Sequence, residues 1–128
     1  MFSDPDPLED DFGVRCEDMS PDQLVCYIKT YQGAFGLSLK IDGMPERSVF
    51  RGMHRIYGKA DTGRIVKWVF YRHKGRADDG RPVTPLSFAK GRKWWVDKMH
   101  LEMQEAVARE NPRRYQTAGL GGRGLLDL

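Results

Sequence analysis

The chain has few cysteines and histidines and no long apolar run. Cys16 and Cys26 are the only cysteines among 128 residues, too few for a disulfide framework and at a spacing that fits no usual zinc pattern. The three histidines are scattered, with no Cys or second His at ligand spacing. No segment is apolar enough to cross a membrane, and the acid-rich start differs from the basic, apolar start of a signal peptide. We therefore expect a cytoplasmic protein with reduced thiols, no metal, no cofactor and no membrane partner.

Catalytic signatures are also missing from the sequence. Residues 58–63 and 75–80 have the glycine spacing of a phosphate-binding P-loop, but neither continues with Lys and then Ser or Thr. The groups that would reach a terminal phosphate and hold magnesium are therefore lacking. No glycine-flanked serine and no Cys–His nucleophile pattern occurs either. The sequence predicts a protein that is not an enzyme.

Charge is divided unevenly along the chain. Up to Asp22 there are eight acidic residues and a single base, Arg15, whereas residues 47–98 hold fourteen bases and four acids, a net charge of +10. Residues 1–18 are predicted to be a flexible acidic leader, because two prolines, many acids and few apolar side chains do not offset the entropy of ordering. Two roles for the leader remain open. It improves solubility, or it folds back on the basic face and competes with an anionic partner.

Residues 19–111 are predicted to form one helical domain, and its first helix has the clearest start. Ser20 suits the N-cap, Pro21 suits the first helical position, and Gln23 completes a capping box. Apolar residues then repeat at helical spacing up to a glycine stop at Gly36.

A second helix is expected to begin at Pro45 and to end at Gly58. It combines a broad apolar stripe with a basic face. The short segment between these two helices, residues 37–43, alternates like a brief strand or serves as a connection.

A third helix is predicted for residues 61–73, capped by Asp61 or Thr62. Residues 65–71 are rich in β-branched and aromatic side chains, so a strand is the explicit alternative. The helix is preferred because the only available strand partner, residues 81–88, contains Pro82 and Pro85.

Residues 75–82 should form a mobile basic loop with a turn at Asp79-Gly80. A fourth helix should then run from Pro85 towards Glu110, with a kink or break at Gly91. Residues 112–128 are predicted to be a flexible, glycine-rich tail. The expected fold class is mainly α, a compact bundle of about four helices that is helix-turn-helix-like or winged-helix-like. In such a fold, either the helix at 61–73 or the basic face of the second helix would enter a nucleic-acid groove, with residues 76–81 as the wing.

Three basic clusters are candidate phosphate-binding sites, and the aromatic ring of Trp94 is a candidate for stacking on a base. Trp94 is expected at the surface while Trp95 faces the core. The first basic cluster is a row on the second helix, the second lies in the loop after the third helix, and the third precedes the tryptophan pair. Their members are Arg47, Arg51 and Arg55; Arg72, Lys74 and Arg76; and Lys90, Arg92 and Lys93.

The compact helical body, the acidic leader and the clustered arginine and tryptophan together resemble small accessory proteins encoded by bacteriophages and other mobile elements. The resemblance implies a role tied to the replication or transcription of DNA, and it assigns no functional residue. We expect a non-catalytic nucleic-acid-binding protein that contacts the phosphate backbone, with DNA favoured over RNA. The alternative is a protein–protein adaptor whose arginine and tryptophan surface binds an acidic partner protein.

Overall fold

The computed structural model describes residues 2, 4–37 and 44–110. Within these ranges the chain forms five α-helices, three short 3₁₀ turns and no strand. The helices are α1 (Pro7–Phe12), α2 (Pro21–Ala34), α3 (Met44–Tyr57), α4 (Lys59–Arg72) and α5 (Lys93–Glu110). The prediction of a mainly helical fold is confirmed. The possible strand at 37–43 lies outside the described residues apart from Leu37, and the tail at 112–128 lies outside them entirely.

Local capping places the start of α2 where the sequence predicts it. The Ser20 side chain accepts a hydrogen bond from the Gln23 backbone N–H at 3.2 Å, and the Gln23 side chain accepts one from the Ser20 N–H at 2.9 Å. Pro21 occupies the first turn. The buried side chains of Leu24 and Ile28 then fix the face that packs on the core.

Helix α4 is the central helix of the domain, and the strand alternative for residues 65–71 is wrong. Helix α4 packs against α3, α5 and the 3₁₀ turn Cys16–Asp18. Every residue from Ile65 to Phe70 is buried, which accounts for the apolar, β-branched composition that also suits a strand. The helix begins at Lys59, earlier than the predicted cap. The middle of α4 is covered, and its exposed residues lie at its two ends, Lys59, Ala60, Tyr71 and Arg72. Entry of α4 into a nucleic-acid groove stays a prediction.

The described part of the acidic segment belongs to the packed domain, contrary to the predicted flexible leader. Asp6 and Glu9 form a reciprocal capping box at the start of α1. Glu9, Cys16 and Phe2 are buried against the rest of the core. Composition alone did not reveal this, because the counter-charge for Glu9 comes from Lys67, which lies in α4.

A close backbone contact joins the acidic segment to α4. A Cβ atom placed on Gly63 would lie 1.8 Å from the Cys16 carbonyl oxygen, so only glycine fits at this position. The 3₁₀ turn that contains Cys16 therefore sits directly on the α4 backbone.

The predicted break near Gly91 is confirmed, and it divides the expected fourth helix. The 3₁₀ turns Pro85–Phe88 and Lys90–Arg92 precede α5, which itself begins at Lys93. Of the helices that the structure describes, none has the length and apolar character needed to span a bilayer.

Candidate binding surface

Helix α3 separates its apolar residues from the first basic cluster. Phe50 and Met53 are buried, while Arg51 and Arg55 are exposed on another face of the helix. Arg47 differs from them, because its Nε lies 2.9 Å from an Asp22 carboxylate oxygen. Both partners of that ion pair are largely exposed, so it adds little stability.

The third basic cluster lies at the junction of the 3₁₀ turns and α5. Lys90 and Arg92 are exposed, and Lys93 makes an i,i+4 ion pair with Asp97 at 2.7 Å. The neighbouring tryptophans face opposite environments. Trp94 is 63% exposed, whereas Trp95 is 4% exposed and packs 5.3 Å, centroid to centroid, from the ring of Phe88.

A cleft between α3 and the start of α5 lies beside the first and third clusters. This α3–α5 cleft has a volume of about 460 Å³ and is lined mainly by apolar side chains. Lys90 and Lys93 stand on its α5 side, and Gly52 and Ile56 on its α3 side. Both cations that line the cleft, Lys90 and Lys93, belong to the third cluster, whereas the arginines of the first cluster do not line it.

The second basic cluster lies apart from the other two and borders α2. The buried Gln32 side chain donates hydrogen bonds to the carbonyls of Gly75 and Val83, at 3.0 and 2.9 Å. These bonds hold both ends of the loop. Lys74 has a left-handed backbone with φ of 56°, which is unfavourable for a residue with a Cβ. Arg72, Lys74 and Arg76 are all exposed.

The tip of this loop is acidic and reaches the third cluster. Asp78 and Asp79 line a small recess of about 110 Å³ together with Arg92 and Trp94. Asp78 also makes an ion pair with Lys98 at 3.2 Å. Residues 76–81, the predicted wing, thus place two carboxylates beside Arg92 and the exposed Trp94.

Most of the predicted phosphate contacts are free of ion pairs within the described residues. The acidic segment instead pairs with α4: Glu9 lies 2.9 Å from Lys67, and Glu17 lies 4.0 Å from Arg64. The described segment lies against the body, as the fold-back hypothesis expects, through α4 and also through the Tyr27 hydroxyl of α2, which donates a hydrogen bond to Asp6. Competition of the segment with an anionic partner stays a prediction. The seven cluster cations for which residues 4–37 and 44–110 supply no ion pair are Arg51, Arg55, Arg72, Lys74, Arg76, Lys90 and Arg92.

A polar network at one end of the cleft was not apparent in the sequence. The Tyr57 hydroxyl donates a hydrogen bond to Asp97, and burial together with this bond raises the pKa of Tyr57. Asp61 lies 2.9 Å from His100 and 3.0 Å from Arg64. The network joins the end of α3 to α4 and α5. Its members are far apart in the chain, so no local spacing could indicate it.

Comparison with protein-family models, with curated proteins and with solved structures finds no match for this chain. Its function is therefore inferred from the chemistry of its own surface.

Proposed function

We propose that the protein is a non-catalytic nucleic-acid-binding protein that contacts the phosphate backbone, with DNA as the favoured ligand. The observation that carries this proposal is the set of seven exposed cluster cations with no ion pair in the described structure. Exposed lysine and arginine side chains without an ion pair can bind phosphates, and this binding releases counterions from the nucleic acid.

The distribution of acids supports the same function. Two carboxylates of the acidic segment are used internally, since Glu9 is buried against Lys67 and Glu17 approaches Arg64. On α3, the Asp22 carboxylate pairs with Arg47, whereas Arg51 and Arg55 have no ion pair within the described residues. Residues four apart on a helix lie on one side, about 5–6 Å from each other. A single phosphate strand can therefore contact both arginines.

Trp94 provides a surface for bases. Its ring is 63% exposed and lies beside Arg92 and Lys93. Stacking of a base on an exposed aromatic ring contributes about 1–3 kcal/mol, and it requires an unpaired base. We therefore expect single-stranded DNA to use Trp94 and double-stranded DNA to depend mainly on the cations.

The test is a fluorescence-anisotropy titration with labelled double-stranded and single-stranded DNA at several salt concentrations. Changing Arg51 and Arg55 together to Ala should weaken double-strand binding and reduce the slope of log affinity against log salt by about 1.8, or about 0.9 per phosphate contact. A matched control changes the exposed bases Lys29 and Arg109 to Ala, which removes the same charge elsewhere on the surface. The control should reduce the slope much less.

A second variant separates stacking from charge. Trp94→Ala should weaken binding to single-stranded DNA more than binding to double-stranded DNA, with an unchanged salt slope. Absence of binding to both DNA forms at low salt would overturn the proposed function. Equal losses of DNA affinity in the Arg51/Arg55 variant and in the Lys29/Arg109 control would remove the α3 face from the proposed binding surface.

A further inference from the structure

We propose that the α3–α5 cleft is a docking site for an amphipathic helix of a partner protein, with acidic residues beside its apolar face. This site goes beyond nucleic-acid binding, since it uses the apolar side of α3 rather than the arginine face.

The length of the cleft suits a helix. Its α3 wall runs from Pro45 to Tyr57. From residue 45 to residue 57 there are about twelve steps of 1.5 Å rise, which span about 18 Å, or a little over three turns. Val49 and Met53 of α3 line the cleft together with Phe88. A partner helix bound in such a groove places apolar anchors at i, i+3 or i+4 and i+7 along that length.

The lining of the cleft is mostly apolar, and one of its apolar side chains is well exposed. Ile56 is 64% exposed, and Val49, Met53 and Val96 also line the cleft. An exposed apolar side chain that continues into an apolar cleft marks an interaction site more often than an isolated one does.

Gly52 keeps the cleft open. It lies in the interior of α3, where glycine costs about 1 kcal/mol relative to alanine. Its backbone is not left-handed, and a Cβ built there meets no atom within 4 Å. Neither the backbone nor a close neighbour in the described structure therefore requires glycine here. Because Gly52 has no side chain, there is space on the wall of the cleft, and the backbone of another helix can approach there.

Charge selects the partner. The residues that line the cleft include Lys90 and Lys93 and no acid. Asp97 pairs with Lys93 at one end, whereas Lys90 has no ion pair within residues 4–37 and 44–110. A second copy that docks through the same cleft would bring the lysines of the two copies together across the interface. An apolar helix face flanked by Asp or Glu is the complementary surface.

The probe is a fluorescein-labelled helical peptide of about four turns, with Leu at i, i+3 and i+7 and Glu at the flanking positions. A second peptide has Lys in place of each Glu. Titration into the full-length protein should show the Glu peptide binding at least about tenfold more tightly, a difference of about 1.4 kcal/mol. Equal affinities for the two peptides, or no binding of either, would overturn the proposal.

Two variants test the location. Gly52→Leu should fill the cleft and lower the affinity for the Glu peptide at least about tenfold. It should not destabilise the fold, because leucine has a higher helix propensity than glycine. Ile56→Asp should lower the affinity similarly, because it adds a negative charge that repels the Glu residues of the peptide. The matched controls are Gly33→Leu, in another helix and also in open space, and Leu101→Asp, at an apolar side chain that is 58% exposed outside the cleft.

Both control variants should bind the Glu peptide with an affinity within about twofold of that of the wild type. DNA affinity of Gly52→Leu should also be unchanged, which distinguishes this site from the arginine face. Unchanged peptide binding by Gly52→Leu would place the peptide elsewhere. Self-association of the wild type that Gly52→Leu abolishes would make a second copy the occupant and would likewise overturn the proposal.

Discussion

Lys67 Nζ lies 2.9 Å from Glu9 Oε1, and both side chains are almost completely buried. Lys67 also donates a hydrogen bond to the Asp4 carbonyl at 2.6 Å, and Glu9 accepts one from the Cys16 N–H at 2.7 Å. The acidic segment is thus held on α4 by a buried charge pair, Glu9–Lys67, that makes further hydrogen bonds within the segment. Removing one partner of such a pair leaves an uncompensated buried charge, which typically costs about 3–5 kcal/mol.

Stability should depend on pH through Glu9. Burial raises the pKa of this carboxyl, but hydrogen bonds from Cys16, Lys67 and Asp6 outweigh it and hold the pKa below its usual value of 4.5. Because the pKa is lowered on folding, the contribution of Glu9 is present above the unfolded-state value. This stabilisation is lost as the pH falls from the pKa of Glu9 in the unfolded chain towards its lower pKa in the folded protein. Urea unfolding of the wild type should show a decreasing free energy of unfolding from neutral pH to about pH 3.

Glu9→Gln isolates that contribution. We expect this substitution to lower the free energy of unfolding at neutral pH by about 3 kcal/mol or more. It should also reduce the dependence of that free energy on pH below neutrality. Asp10→Asn, at an exposed neighbour, is the control. If the free energy of unfolding of Glu9→Gln falls with decreasing pH as steeply as that of the wild type, the pH dependence belongs to other carboxylates.

Gly63→Ala should loosen the acidic segment. The new methyl group would lie against the Cys16 carbonyl, so the 3₁₀ turn has to move away from α4. We expect a loss of about 3 kcal/mol or more, with faster amide hydrogen exchange in residues 4–18. Gly52→Ala is the matched control, because its Cβ enters open space; it should stabilise the protein by about 1 kcal/mol. Similar thermal unfolding curves for the two variants would contradict the close packing at Gly63.

Lys74→Gly should change stability and binding in opposite directions. Glycine relieves the left-handed backbone at φ 56° and should raise the free energy of unfolding by about 0.5–1 kcal/mol after its unfolded-state entropy is counted. The same change removes a cation of the second basic cluster and should weaken DNA binding. Lys74→Ala removes that cation without relieving the backbone. We therefore expect equal DNA affinities for the two variants but lower stability for Lys74→Ala in denaturant titrations.

Local features of the chain were predictable because they depend on neighbouring residues. The start of α2 follows from Ser20, Pro21 and Gln23, which cap a helix wherever that helix then packs. The break before α5 follows from Gly91. The opposite environments of Trp94 and Trp95 were also expected, since consecutive residues on a helix point in different directions.

The candidate surface was predictable in its members and not in its arrangement. The sequence indicated that Arg51, Arg55 and Lys90 are basic and accessible. It did not indicate that α3 and the start of α5 flank a common apolar cleft, because no local periodicity relates residues so far apart. The same limit applies to Gly52, whose role depends on the empty space beside it.

The sequence by itself determined that α2 and α3 are helices and where the charges lie along the chain, since caps, periodicity and composition act over a few residues. Only the tertiary structure decided what the acidic segment does. Its composition predicted a flexible leader, but Lys67 supplies a buried counter-charge and Gly63 allows backbone contact, and both come from α4. A buried charge is stable only when its partner is brought to it by folding, and that pairing is a property of the packed molecule.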